Sequence, residues 1–240
     1  QGGEVLNLKH GDPMLKRLHL AWTRRNWLDL CERAEAEDWS SRKLLSVLFH
    51  EEIAHRQNTR VQRTTRQAGF PYLRTVDEFD FTLQSGVRRA LLGTYLGPEL
   101  VSEARNLVLY GKTGRGKTHL AIAVAYKAIQ NGFTARFVTA AALIDELSAA
   151  SRTARFREAL HAYLQPSVLV IDEVGYLTYG DDAANVLFHV VNERCLKGKP
   201  MIFTTNKTPL GEWGDVLHDH DLADAIVDRI LERGRLIVLD

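Results

Sequence analysis

The sequence predicts an α/β fold: a three-layer domain built on a parallel sheet, preceded by a small all-α domain. Three observations predict it. Wholly apolar runs such as Leu107-Val108-Leu109 and Val168-Leu169-Val170-Ile171 alternate with helical stretches, and strands of that kind belong to parallel sheets covered on both faces. A glycine-rich loop joins the first of these strands to a helix. Residues 1–74, by contrast, show helical periodicity alone, so the division is expected between 1–74 and 75–240.

Taken in order, Asp12-Pro13 supplies a capping residue followed by proline at a first helical position. Leu15, Leu18, Ala21, Trp22 and Leu28 then mark one helix from Met14 to Arg33. Ser40 or Ser41 caps a longer helix from about Arg42 to Gln67, which Gly69-Phe70-Pro71 stops. Pro71–Thr82 reads as an irregular linker in which Phe79 and Phe81 flank Asp80. A helix over Gln84–Tyr95 and a short one over Pro98–Ala104 lead to the first strand, Asn106–Tyr110. Further strands are expected at Thr134–Val138, Val168–Ile171, Met201–Thr205 and Leu236–Leu239. Between them lie helices at His119–Asn131, Ala140–Ala150, Ala154–Tyr163, Asp182–Leu196 and Asp221–Arg233.

Composition narrows the function only a little. With 45% hydrophobic and 25% charged residues the chain reads as an ordinary soluble protein, and its net charge of +1 gives no global reason to expect nucleic acid. Cys31 and Cys195 fit no metal-ligand spacing and suggest unpaired thiols in a reducing compartment. No apolar run approaches the roughly 18–20 residues that a membrane span needs, and no signal-peptide pattern opens the chain. A cytoplasmic location with no membrane partner is the expectation.

Gly111-Lys112-Thr113-Gly114-Arg115-Gly116-Lys117-Thr118 fits the phosphate-loop pattern, with a strand before it and a helix after it. Glycines let successive backbone N–H groups point inward at a phosphate, and the helix amino end adds partial positive charge. Lys117 would reach the β/γ oxygens of a nucleoside triphosphate, and the Thr118 hydroxyl is placed to ligate Mg²⁺. His119, next in the chain, joins the nucleotide-binding set. Asp172-Glu173 follows an apolar run, at the strand end where ligands of α/β folds bind. The Asp172 carboxylate suits the hydration shell of Mg²⁺, and Glu173 suits polarising a water for attack on a γ-phosphate. Asn206, ending Thr204-Thr205-Asn206, either senses the γ-phosphate or satisfies its own backbone as a loop-starting residue. Arg229 and Arg233, one turn apart, either serve a neighbouring subunit's triphosphate or belong to a surface network with nearby acids. His218-Asp219-His220-Asp221 reads as a helix cap rather than a metal site.

Signals for nucleic acid are local. Arg56, Arg60 and Arg63 share a helical face with Gln67, and Arg66 lies beside them. Like charges so spaced repel by a few tenths of a kcal/mol per pair unless phosphates neutralise them. The alternative is a solvated face balanced by Glu51 and Glu52. Arg152, Arg155 and Arg157 form a second cluster, expected on a DNA-facing loop between helices.

On these residues the chain resembles an AAA+ P-loop NTPase of the IstB/DnaC type. The resemblance is tightest over Asp172-Glu173-Val174-Gly175-Tyr176-Leu177, Ala184–Phe188, Phe203–Lys207 and the arginine-rich end from Asp228 to Leu236. It implies that Lys117 and Thr118 are the Walker A residues, Asp172 and Glu173 Walker B and Asn206 the first sensor. It further implies that Arg229 is the trans-acting arginine finger, with Arg233 the fallback. The implied cofactors are ATP and Mg²⁺. The implied partners are duplex DNA, further copies of the chain with ATP at the subunit interfaces, and a transposase, or for DnaC-like relatives a replicative helicase. The sequence stops at Asp240 without a helical lid, so no C-terminal lid domain and no second-sensor arginine are expected. A P-loop phosphotransferase and a DNA scaffold that uses ATP only as structural glue are the rival readings. The adjacent Asp-Glu pair and the strand-end Asn favour attack by water over transfer to an acceptor.

Overall fold

The computed structural model describes residues 11–83, 87–177 and 179–240. The chain divides into two compact units, Gln1–Arg63 and Thr64–Asp240. That division falls inside a continuous helix, upstream of the line at residue 74 drawn from the sequence.

The first unit is helical, with α1 (Gly11–Arg17), α2 (Ala21–Ala36) and most of α3 (Ser41–Gln67). The single helix expected from Met14 to Arg33 is broken at His19, whose φ is +55°. The reason lies on α3. Glu52 is buried and accepts the N–H groups of Ala21 at 3.1 Å and Thr23 at 2.9 Å, together with the Thr23 hydroxyl. A carboxylate from a neighbouring helix thus caps the amino end of α2, where the helix dipole favours negative charge. Burial opposes ionisation of Glu52, but the Thr23 N–H, the Arg56 guanidinium and the Thr23 hydroxyl outweigh it and hold its pKa below the usual carboxylate range. Ser40 accepts from Lys43 N–H at 3.3 Å and caps α3.

The second unit carries a five-stranded sheet of β1 (Asn106–Gly111), β2 (Ala135–Thr139), β3 (Val168–Val174), β4 (Met201–Thr205) and β5 (Gly234–Leu239). Every pairing is parallel and the order is β2-β3-β4-β1-β5. Before the sheet, the helix expected over 84–95 is replaced, in its described part, by a 3₁₀ turn at Arg89–Leu92 and the short α4 (Gly93–Leu96); residues 84–86 lie outside the described residues. Then α5 (Glu99–Ser102) leads into β1. The long helices are α6 (Lys117–Gln130), α7 (Ala140–Arg152), α8 (Phe156–Leu164), α9 (Ala183–Leu196), α10 (Pro209–Leu217) and α11 (His220–Glu232).

Alternation along the strands explains the layers. Val108, Leu169, Ile171, Met201 and Phe203 join one core with residues of α7, α9 and α11. Their neighbours Leu107, Leu109, Val170 and Ile202 are fully buried outside that core, on the side covered by α6. Each such side chain contributes about 1.5–3 kcal/mol on burial, so apolar runs are stable here only with helices on both faces. Helix α10 was not expected. Pro209 at its first turn starts it, left-handed His218 stops it, and fully buried Trp213 anchors it with the ring 5.9 Å from Phe203.

Arg194 holds the amino ends of the strands together. It is fully buried, and its guanidinium donates to the carbonyls of Tyr163, Pro166, Ser167 and Pro200 at 2.7–3.0 Å. Burial lowers its pKa to about 9, which leaves the cation intact at neutral pH. Arg194→Leu removes all of these donors at once. Since each buried carbonyl left unpaired costs about 1–3 kcal/mol, urea unfolding is expected to show a loss of at least about 3 kcal/mol. An unchanged midpoint and slope would show that the carbonyls re-pair locally.

Candidate functional site: a phosphate loop facing two acids

The loop between β1 and α6 is shaped by two glycines. At Gly111 a Cβ would sit 2.2 Å from the carbonyl oxygen of Leu239 on the adjacent strand β5, so a side chain would push the sheet apart. Gly116 is left-handed, with φ +83°, and forms the amino cap of α6. A Cβ there would meet the ring of Phe79 at 2.8 Å. Phe79 in turn packs edge-on against Phe81 and against His119, and His119 Nε2 lies 3.1 Å from the Thr75 carbonyl. The stretch read as an irregular linker therefore lies against the loop and the first turn of α6.

Lys117 is buried and its ammonium donates to the Lys112 carbonyl at 2.8 Å, within the loop itself. Its ammonium also lies 5.8 Å from the centre of the Tyr176 ring, whose hydroxyl is 3.5 Å from that of Thr113. Lys112, Thr113, Gly114 and Arg115 are exposed along the loop. The Thr118 hydroxyl donates to the Asp172 carboxylate, 2.9 and 3.1 Å from its two oxygens. That contact joins the start of α6 to β3. Burial pushes the Asp172 carboxyl up, against the opposing pull of the Thr204 and Thr118 hydroxyls and of Lys117.

Strand β3 runs further than its apolar residues indicated, because it carries a bulge. Ile171 pairs with Phe203 and Val174 with Thr205, so Asp172 and Glu173 together stand opposite the single residue Thr204. Glu173 is exposed and takes φ +61°, a conformation a glutamate adopts only when its surroundings impose it. Two groups impose it here. The Glu173 N–H donates to the Thr204 hydroxyl at 2.9 Å, and its carbonyl accepts from the Tyr179 hydroxyl at 3.3 Å. The Tyr179 hydroxyl also receives the Gly175 N–H.

Asn206 begins the loop at the carboxyl end of β4, and its Oδ1 is buried without a hydrogen-bond partner among the described residues. A buried amide oxygen costs about 1–3 kcal/mol when unpaired; the self-satisfied loop residue weighed from sequence is thus not what stands there. A glycine-lined turn at a helix amino end, a lysine and an unpaired amide fit a triphosphate. A hydroxyl touching a carboxylate fits a hydrated divalent cation.

These features coincide with the comparisons. The family described as IstB-like ATP binding protein matches residues 13–239. The chain belongs to the IstB-like ATP-binding family. Among its relatives, the IS5376 putative ATP-binding protein of Geobacillus stearothermophilus is 35% identical over 218 residues, spanning 91% of this chain and 86% of that protein. The IS21 putative ATP-binding protein of Pseudomonas aeruginosa is 33% identical over 221 residues, 92% of this chain and 83% of that one. Among solved structures the DnaC helicase loader superposes with a TM-score of 0.56 at 22% identity, over 73% of this chain and 98% of that one. DnaI gives 0.60 at 20% identity, over 75% and 94%. The second unit of this IstB-like chain has a P-loop AAA+ fold.

The structure does not bring every candidate residue to this site. Arg229 and Arg233 line a pocket of about 530 Å³ with Asn106, Lys197 and Lys199. Asn106 opens β1 and pairs with Gly234 of β5, whereas the phosphate loop follows the far end of β1. At about 3.3 Å per residue, roughly 17 Å of strand separates the two ends. The Arg229 guanidinium lies over the Phe188 ring at 5.4 Å. Arg152, Arg155 and Arg157 are exposed around the turn between α7 and α8. In the first unit Arg56 is tied to Glu52 at 3.0 Å and to the His19 carbonyl, while Arg60 and Arg63 line a cleft of about 300 Å³ with His19 and His55. Arg66 is exposed in the last turn of α3. Asp219 caps α11 through Leu222 N–H at 2.9 Å, and His220 pairs with Asp215. Both cysteines are free. Among the described residues no helix is long and apolar enough to cross a membrane. Sequence reading gave no role to Thr204 or Tyr179; a tyrosine six residues after Glu173 and a threonine two residues before Asn206 were the available signals.

Gly116→Ala imposes both a left-handed alanine and a clash with Phe79. Titration calorimetry is expected to show at least a tenfold loss of ATP affinity, with stability lowered by about 1–2 kcal/mol. Wild-type affinity in that variant would mean that the loop does not need the turn at Gly116.

Proposed function

We propose that this chain is a DNA-binding ATPase that assembles with ATP at its subunit interfaces and assists a transposase. The observation that carries the enzymatic part is the contact of Thr118 with Asp172, beside an exposed Glu173 held by a bulge. In this reading Lys117 and the loop amides bind the β/γ-phosphates, and Thr118 and Asp172 hold Mg²⁺ through their oxygens. Bound magnesium would neutralise charge on the β/γ oxygens. Glu173 takes a proton from a water as that water attacks the γ-phosphorus. The bond from γ-phosphorus to the bridging oxygen breaks, and ADP departs with the electron pair. Asn206, with its unpaired Oδ1, orients that water or reads the γ-phosphate.

Arg229, with Arg233 behind it, stands at the amino edge of the sheet and acts on a neighbour's triphosphate rather than on its own. Strand geometry supports this, since neither arginine lies near the loop of its own chain. The transposase partnership rests on the insertion-sequence ATP-binding proteins among the relatives. Charge placement supports the DNA contacts. Arg155 occupies the cap position of α8 and Arg157 its first turn, where Glu158 also lies, and with Arg152 they leave an exposed basic cluster around the α7–α8 turn. Arg60, Arg63 and Arg66 extend the basic row on α3, while Arg56 is engaged by Glu52.

Glu173→Gln is expected to bind ATP and duplex DNA as the parent does, with phosphate release lowered at least about 100-fold. Phosphate release at the parent rate would remove Glu173 as the base. Mixing Glu173→Gln with Arg229→Ala subunits should restore part of the activity, because one mixed interface then holds an intact base and an intact arginine. No recovery at any ratio would assign the role elsewhere, Arg233 being next. Pull-downs against a transposase and against a replicative helicase decide the partner.

For DNA, replacing Arg60 and Arg63 together by alanine should flatten the slope of log affinity against log salt by about 1–2, the number of phosphate contacts removed. An unchanged slope would place the duplex elsewhere on the protein.

A further inference from the structure

The bulge in β3 makes one hydroxyl responsible for both acids. Thr204 lies on β4 with no exposed surface. Its Oγ1 donates to Asp172 Oδ1 at 2.5 Å and accepts the N–H of Glu173 at 2.9 Å. A hydroxyl has one proton to give and lone pairs to receive with, so Thr204 uses both capacities on adjacent residues of the neighbouring strand. Without the bulge, Asp172 and Glu173 would have separate partners on β4, and their side chains would alternate across the sheet. With it, two residues face one, and the Glu173 N–H, taken off the ladder, finds its acceptor in a side chain.

We infer that Thr204 is a positioning residue for ATP hydrolysis, setting the Asp172 carboxylate and the Glu173 backbone relative to each other. This rests on the reading of Glu173 as the base. Thr204 does not touch the triphosphate or the water. It fixes the rotamer of the acid that Thr118 also grips, and it stabilises the left-handed turn that presents Glu173. It also ties both acids to the strand that leads into Asn206, two residues on. The Asp172, Glu173 and Asn206 groups are thereby held by one buried oxygen and one short peptide segment. Valine matches threonine in shape and lacks only the hydroxyl, so Thr204→Val isolates this function. Serine keeps the hydroxyl and lacks only the methyl.

The test compares Thr204→Val, Thr204→Ser and Glu173→Gln in the full chain with duplex DNA and MgATP. Supporting residues one bond away from the reacting groups typically account for 10–100-fold in activity. Thr204→Val is therefore expected to lower kcat by about that factor while KM and the affinity for a non-hydrolysable ATP analogue stay within about threefold. Thr204→Ser should keep most of the parent kcat. In the Glu173→Gln background Thr204→Val should add little further loss, since both act through the same water. Parent kcat in Thr204→Val, or equal loss in Thr204→Val and Thr204→Ser, overturns the inference. Should Thr204→Val fail to fold, Thr204→Cys replaces it: a weak donor of serine's size, expected to fall at least about tenfold below Thr204→Ser. Cysteine matching serine overturns the inference equally. Full turnover in Glu173→Gln strikes the reading beneath it instead, and the two failures are told apart by which variant keeps its rate.

Discussion

The hydrogen bonds to Asp172 are the constraint on which the rest of the site depends. A buried carboxylate is costly unless its oxygens are satisfied, and here the donors come from two different layers of the fold: Thr118 at the start of α6 and Thr204 within β4. Satisfying one acid therefore fixes the amino end of the loop helix against the central strands. The phosphate loop is consequently anchored at both its ends. Gly111 is paired with Leu239 of β5, and Thr118 is hydrogen-bonded to Asp172 of β3.

A second constraint follows from the parallel sheet. All five strands point the same way, so their carboxyl ends and amino ends are chemically different surfaces. The carboxyl ends carry the loop, the two acids and Asn206. The amino ends are closed by Arg194, which ties the entries of β3 and β4, and by Asn106, whose side chain donates to the Ile230 carbonyl and accepts from Met201 N–H. Through the Ile230 carbonyl, Asn106 brings the end of α11 against the start of β1, and with it Arg229 and Arg233. Strand direction thus separates the two acids, at the carboxyl ends, from Arg229 and Arg233, beside the amino end of β1.

The sheet was legible because burial on both faces demands continuous apolar runs, and Leu107–Leu109 or Val168–Ile171 meet that demand with no competing pattern. The loop was legible because few residue types allow its turns. What was not legible depends on distant partners. Nothing near His19 announces a helix break; the break exists because Glu52, some thirty residues on, takes the N–H groups of Ala21 and Thr23. The extent of β3 was misjudged for a related reason. Asp172 and Glu173 look like the end of a strand, and the bulge that keeps them inside it is imposed by Thr204 and Tyr179. Helix α10 was hidden because its capping signals, Thr208-Pro209 and His218, flank a stretch containing two glycines, Gly211 and Gly214. Packing of Trp213 outweighs the roughly 1 kcal/mol that each glycine costs a helix.

The arginines of α3 show how far a charge pattern alone can be carried. By spacing, Arg56, Arg60 and Arg63 are equivalent members of one row. Contacts separate them: Arg56 neutralises the acid that caps α2, whereas Arg60 and Arg63 have no ion pair among the described residues. A guanidinium already committed to a buried carboxylate gives little to a phosphate without exposing that carboxylate's charge. Replacing Arg56 therefore tests the architecture of the helical unit through Glu52, and replacing Arg60 and Arg63 tests its surface. Of the two expectations weighed from sequence, the balanced face describes Arg56 with Glu52, and Arg60 and Arg63 are the residues on which the proposed phosphate contacts rest.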